Sequence, residues 1–359
     1  MLPYYLLLLL PLLTYGVFAF ILKNKPLANK LSLACFFAVL FFLLALRSDT
    51  VGIDVRGYEY YFHKIAATEW KALHSIDIEF GYTLFNKIIS VFTSSFQIFL
   101  AIVALVTVAP IALVYLKDSE KPDISIILFI NMSTFVLMFS GLRQAISISI
   151  GLIVYYLITH KKGLLPTVAS ALLILVALSF HISAVVLFLM YPLHYIKISL
   201  KWLLFIVAPA YLFVFIFNKS ILSFAMTLLP EKYAKYSIES TGAYTMILLF
   251  AAFIIICYII EDPEKTDKIT STLRNFLLFA LAVQLFAPVN SVAMRFNYYY
   301  IIFIPLLIPK VINSCSEKYK FWARLSHFVI VGFFAFYFFY NAHTGADILR
   351  VFPYVPFWK

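Results

Sequence analysis

Long apolar runs, broken at short intervals by charged and turn-forming residues, make up most of this chain. Splitting it at those breaks predicts about twelve helices, at 3–22, 28–46, 96–116, 124–140, 144–160, 164–179, 182–196, 202–217, 244–260, 274–287, 297–312 and 326–340. A run such as YYLLLLLPLLTYGVFAFIL at 4–22 is long enough to cross a hydrocarbon core of roughly 30 Å at about 1.5 Å per residue. The expected fold class is all-α, a polytopic transmembrane helix bundle. The first run reads as a span and not as a cleavable secretory signal, because no basic stretch precedes it and nothing soluble follows.

Segment 80–95, FGYTLFNKIISVFTSS, is apolar but short. Counting it as a full span would invert every later loop and put Lys161 and Lys162 outside. It is therefore expected as an amphipathic or re-entrant helix, continuing an extracytoplasmic loop over 47–95. A second extracytoplasmic loop is expected at 218–243. No internal repeat, low-complexity tract or soluble domain breaks the pattern, so residues 1–359 are expected to form a single polytopic membrane domain.

Composition agrees with the pattern. Apolar residues make up 64% of the chain and charged ones 13%, against about 45–50% and about 25% in an ordinary globular domain. The net charge of +11 suits anionic lipid headgroups better than nucleic acid, because the lysines are spread over short loops. Cys35, Cys257 and Cys315 fall in or beside apolar runs without metal-type spacing and read as packed thiols.

Orientation follows from lysine and arginine in the short loops. With 23–30 cytoplasmic, the loops at 117–123, 161–163, 197–201, 261–274 and 310–324 are cytoplasmic too. These hold 14 of the 21 lysines but, of seven arginines, only Arg274 and Arg324. Arg47, Arg56, Arg143, Arg295 and Arg350 go outside, where positive charge is normally sparse. A planar guanidinium fork there suits bidentate binding of phosphate or carboxylate.

Among these, Arg143 interrupts an otherwise uncharged stretch from Ile124 to Thr159 and stands about 27 Å from Lys161 at helical rise. It reads either as an interfacial anchor or as an anion ligand, with Gln144 as a second polar group beside it. His181, in ALSFHISAVVLF, is at the same outer level, as a buried hydrogen-bonded residue or one with a ligand or proton-transfer role. Arg295 precedes Tyr298, Tyr299 and Tyr300, which suit an aromatic belt and also a sugar ring carrying a phosphate. The opening loop adds Asp49, Asp54, Tyr58, Tyr61 and Phe62, then Asp77 and Glu79. Its carboxylates can accept a proton from a sugar hydroxyl or pair with the local arginines. A metal is not expected at Asp49 and Asp54, since no His or Cys is near and the arginines would repel a cation.

Taken together, R-S-D-T-V-G-I-D-x-x-x-Y at 47–58, E-F-G-Y at 79–82, L-R-Q at 142–144, S-F-H-I-S-A at 179–184, R-F-x-Y-Y at 295–299 and F-P-Y-V-P-F-W at 352–358 resemble the EpsG-like Wzy polymerases of O-antigen, capsule or exopolysaccharide. Each motif is short, so the resemblance rests on the set, in order over most of the chain. Ile53 departs from the small polar residue expected between Gly52 and Asp54.

The resemblance implies a glycosyltransferase of C-type fold, without metal or cofactor, in the bacterial inner membrane with its active site on the outer face. It would move a growing glycan from undecaprenyl diphosphate onto the sugar end of a new lipid-linked repeat unit. Arg143 and Arg295, supported by Arg47 and Arg56, would grip the diphosphate; Asp54, Glu79 or His181 would take the acceptor proton. Gln144, Tyr58, Tyr298 and Tyr299 would line the substrate path. A chain-length regulator is an implied partner. The competing readings are a lipid-linked oligosaccharide flippase or other transporter, an O-antigen ligase, or another polyprenyl-linked glycosyltransferase. Arginines gathered at one face, with nearly charge-free span centres, favour an enzyme over a transporter.

Overall fold

In the computed structural model, which describes residues 2–21, 23–227, 243–260, 266–344 and 349–359, the apolar runs are helical and no strand forms among the described residues. The helices are α1 (Leu2–Ile21), α2 (Lys25–Ala45), α3 (Val55–Ala67), α4 (Phe80–Phe92), α5 (Phe96–Asp118), α6 (Pro122–Asn131), α7 (Ser133–Ser140), α8 (Leu142–His160) and α9 (Leu164–Phe180). They continue as α10 (Met190–Tyr195), α11 (Leu200–Trp202), α12 (Ala208–Thr227), α13 (Tyr244–Ile259), α14 (Lys268–Gln284), α15 (Ala293–Ile301), α16 (Ile304–Asn313) and α17 (Lys320–Thr344).

Among the described residues six helical stretches are long and apolar enough to cross a membrane, and the number rises to eight if two bent pairs each count as one span. The expected count of about twelve is higher than this. The stretch at 124–140 breaks by 58° between α6 and α7, and 297–312 breaks by 40° between α15 and α16. Pro305 opens α16, where its missing N–H costs nothing but cannot extend the preceding helix. Segments 164–179, 182–196 and 244–260 are helical but short. Helix α12 runs on to Thr227, so the first ten residues of the expected 218–243 loop are helical, and most of the remainder lies outside the described residues.

The chain divides into two compact units, residues 1–188 with 326–359, and residues 189–325. In the first, α1 packs on α2, α2 on α5, α5 on α8 and α8 on α9. The 47–95 stretch folds back as α3, a 3-10 turn at Trp70–Ser75, and α4. Helix α4 turns Tyr82, Thr83, Asn86, Lys87 and Ile89 inward and exposes Phe80, Ile88, Val91 and Phe92. An apolar outward face on a thirteen-residue helix suits the bilayer interface. Lys87, 8% exposed, donates to the carbonyls of Ala66 (2.9 Å) and Thr68 (2.8 Å) at the end of α3, a cation satisfying helix C-terminal carbonyls. In the second unit α14 packs against α10, α13, α15 and α16.

Candidate active site

At the end of the first unit that carries the 47–95 stretch, the motif residues gather. Arg143 is the second residue of α8, and α8 starts there because Gly141 ends α7 with its N–H on Leu137 O and leaves its own carbonyl to Ala145 N. The guanidinium Nη1 is ion-paired with Glu79 Oε2, their side chains 29% and 24% exposed. It also interacts with the Tyr58 hydroxyl, the ring centroid being 6.0 Å from Cζ. Burial holds the Tyr58 phenol above its ordinary range although Arg143 pulls it down, so Tyr58 stays a neutral hydrogen-bonding group. Arg143 Nε has no hydrogen-bond partner among the described residues.

What brings Glu79 there is the packing of α4. Glu79 is the residue before α4, and at Gly81 that helix touches α9 so closely that an added Cβ would lie 2.7 Å from both Cβ and O of Ser179. Tyr58, Tyr82 and Phe99 form part of one buried apolar cluster with Leu142 and Ile146 beneath the ion pair. Glycine at 81 and serine at 179 thus set the spacing of two motifs ninety-odd residues apart in sequence.

Beside Arg143, Gln144 is 4% exposed and its Nε2 donates to Ser183 Oγ at 3.3 Å. Ser183 Oγ lies 2.6 Å from His181 Nδ1, and the Ser183 amide donates to the same nitrogen at 3.3 Å. Accepting from an amide places the ring proton of a neutral His181 on Nε2. His181 sits at the break between α9 and the 3-10 turn that follows.

The opening loop divides its charges. Asp49 Oδ2 meets Arg56 Nε at 3.0 Å in an exposed pair, with Ser48 Oγ 2.9 Å from Oδ1. Burial alone would raise the Asp49 carboxyl, but hydrogen bonds from Ser48 and Arg56 hold it below its ordinary value. Asp54 is exposed; its Oδ2 accepts from Ser140 Oγ at 3.1 Å, and its amide donates to the same hydroxyl at 3.4 Å.

Arg47 departs from the expectation. It is 1% exposed, with Nε and Nη1 unpartnered among the described residues and Cζ 5.4 Å from the Phe139 ring centroid. Desolvation lowers its pKa to about 10, opposed by Tyr354 and Tyr4. Buried in this way it cannot reach an arriving anion, so its part is to hold the loop. The C-terminal tail forms the lid of its cage: Ser48 N donates to Val355 O (2.8 Å), Gly52 N to Arg350 O (2.9 Å), Ile53 N to Leu349 O (2.9 Å) and Phe357 N to Leu46 O (2.9 Å). Tyr4 OH donates to Val351 O, and Tyr354 OH to Leu43 O at 3.1 Å. Gly52 has φ +103°, and a Cβ there would lie 2.0 Å from Phe139 O, so only glycine fits.

Arg295, Tyr298 and Tyr299 belong to the other unit. Arg295 is exposed on α15 and Tyr298 half-buried, while Tyr299, 1% exposed, is core and does not line a path. Sequence reasoning gave no part to Ser140, Phe139 and Tyr4, and held Ser183 and Tyr354 only as members of the 179–184 and 352–358 motifs. For the cage around Arg47 the one signal was the joint presence of the 47–58 and 352–358 motifs, which the structure pairs backbone to backbone.

A family model described as the EpsG family matches residues 30–355. No curated protein and no solved structure matches the chain.

Proposed function

The chain belongs to the EpsG family, and from that premise we propose that it is a polysaccharide polymerase joining undecaprenyl-diphosphate-linked repeat units, a glycosyltransferase of C-type fold working at the outer face of the bacterial inner membrane. The supporting observation is Arg143. Its guanidinium stands half-exposed at the mouth of an uncharged helix, oriented by Glu79 and Tyr58. A diphosphate leaving group carries concentrated negative charge, and a pre-oriented guanidinium stabilises that charge as it develops, worth about 3–4 kcal/mol when such a donor is removed.

In this reading the acceptor hydroxyl oxygen bonds to the anomeric carbon of the donor glycan as the bond from that carbon to the diphosphate oxygen breaks. The bonding electrons leave with the lipid diphosphate, held by Arg143. The hydroxyl proton passes to Asp54, the exposed carboxylate of the loop, whose second oxygen Ser140 steadies. Glu79 serves mainly to orient Arg143. His181, with its proton on Nε2, donates a hydrogen bond to the phosphate or sugar and does not act as base. Arg56 is partnered by Asp49 and Arg47 is buried, so both support the loop. Arg295 and Tyr298 are further candidates for substrate contact.

The test supplies purified lipid-linked repeat units to the protein in detergent. Longer oligomers from the wild type, and none from Arg143→Ala that still inserts and accumulates, are the expected results. Repeat units left unchanged by the wild type would overturn the polymerase reading, and normal polymer length in Arg143→Ala would overturn the assignment of the site.

A further inference from the structure

Within the unit of residues 189–325, a cavity of about 870 Å³ opens where the connection after α10 meets the end of α13 and the start of α14. This is within the size range of small-ligand sites, about 300–1,000 Å³. Among the described residues its lining carries three cations, Lys197, Lys268 and Arg274, and one carboxylate, Asp267. Asp267 is already engaged, its Oδ1 accepting the Thr270 amide at 2.6 Å as the cap of α14.

The cations are held by their surroundings. Arg274 Cζ lies 4.4 Å from the Tyr258 ring centroid and its Nη2 donates to Ile198 O at 3.4 Å, the carbonyl that also accepts from Tyr258 OH at 3.0 Å. Lys268 Nζ lies 4.5 Å from the Tyr195 centroid. Neither Lys197 nor Lys268 has an ion pair among the described residues. The first amides of α14 open at the same place, adding to the positive field. Lys197 and Lys268 converge on this hollow with Arg274, and the carboxylate among its described residues is taken up by the helix cap; such a set suits a compact anion such as phosphate.

The rim is apolar. Tyr195, Ile196 and Leu200 are exposed at 68%, 47% and 49%, a surface suited to the headgroup boundary of a bilayer. The lysine bias of the sequence puts 197–201 and 261–274 on the cytoplasmic side, the leaflet surface rich in anionic lipid. We propose that this cavity binds the phosphate of an anionic membrane lipid headgroup, with Lys197, Lys268 and Arg274 as its ligands. The site shares no residue with the polymerase reading and does not depend on it.

A soluble phosphate offers the same anion, so the experiment separates the two sources. The full chain, delipidated in neutral detergent, is titrated with phosphatidylglycerol, with phosphatidylcholine and with inorganic phosphate, and bound ligand is counted by native mass spectrometry. Phosphatidylglycerol is expected to bind in preference to phosphatidylcholine, and Lys197→Gln/Lys268→Gln to weaken it about tenfold or more. Lys197→Arg/Lys268→Arg, which keeps the charge, is expected to bind as the wild type does and guards against a folding defect. Phosphate competing at concentrations comparable to the lipid would support the anion site while assigning it to a soluble ligand, and failure to compete supports the lipid. Equal retention of both lipids, or a Gln variant that binds phosphatidylglycerol normally, would overturn the proposal.

Discussion

Arg143 on α8 and Glu79 at the start of α4 are ion-paired across the mouth of the first unit, and the pair divides the labour of the candidate site. Removing the cation and removing its orienter are therefore expected to differ. Arg143→Ala should lower chain extension by about 10²–10³-fold. Glu79→Gln should lower it by roughly tenfold to a hundredfold, the usual effect of losing a supporting hydrogen bond, with the pH profile of extension unshifted. A shifted profile in Glu79→Gln would identify Glu79 as the proton acceptor instead.

Arg47 tests burial against recognition. A guanidinium that is 1% exposed, with two nitrogens unpartnered among the described residues and the Phe139 ring over it, costs several kcal/mol to desolvate and recovers about 2 kcal/mol from the Phe139 face. Arg47→Met keeps the bulk and removes that cost. It is expected to melt in detergent at or above the wild-type temperature and to retain extension activity. Loss of extension in a fully stable Arg47→Met protein would mean that this arginine reaches the substrate after all.

The helices themselves were legible in the apolar runs, because a membrane span advertises itself by length and composition alone. Their lengths were less so: the bend at Met132 falls among Asn131, Ser133 and Thr134 and the one before Ile304 falls beside Pro305, and each of these residues is also tolerated within a straight span. The site was legible in part for the same reason. Arg143 stands out because it is the charge in an uncharged stretch. Arg47 stands out as one of the arginines expected on the outer side, and that rule misplaces it, since sequence does not reveal that Phe139, Tyr4 and the tail close over it. Lateral partnerships such as Gly81 with Ser179 depend on helix contact and leave no periodic trace.

The tail should behave as part of the opening loop. Backbone bonds from Ser48, Gly52, Ile53 and Phe357 tie the two together, and Tyr4 reaches Val351 O. Ending the chain after Thr344 removes those partners and opens the cage of Arg47. The truncated protein is expected to insert but to lose extension. Limited proteolysis should then cut within 47–54, a region the intact protein protects. Tyr4→Phe, which deletes one buried hydrogen bond worth about 1 kcal/mol, should lower the melting temperature with little effect on extension.

Lys87 offers a test of how the α3–α4 platform is held. Its ammonium caps the carbonyls of Ala66 and Thr68 from a neighbouring helix, and hydrogen bonds to a charged group are worth about 1.5–3 kcal/mol each. Lys87→Met leaves both carbonyls without that donor and is expected to destabilise the protein by about 2 kcal/mol or more. Because α4 carries Glu79 toward Arg143, extension should fall along with stability, and Lys87→Arg should restore much of both. A stable, active Lys87→Met protein would show that the platform is held by its apolar cluster alone.

Asp54 and His181 compete for the role of proton acceptor, and their surroundings separate them. Asp54 is exposed, with Ser140 on one oxygen, which leaves lone pairs for an acceptor hydroxyl. His181 accepts the Ser183 amide at Nδ1, so in its neutral form it has a proton to give and no free nitrogen to receive one. Asp54→Asn is expected to lower extension by about 10²–10⁴-fold, the range for loss of a general base, and Asp54→Glu to recover part of it. His181→Gln, which still offers an N–H donor, should lose far less. If instead His181→Gln were the inactive protein and Asp54→Asn the active one, the base would be the histidine, and the hydrogen-bond chain through Ser183 and Gln144 would have to rearrange when substrate binds.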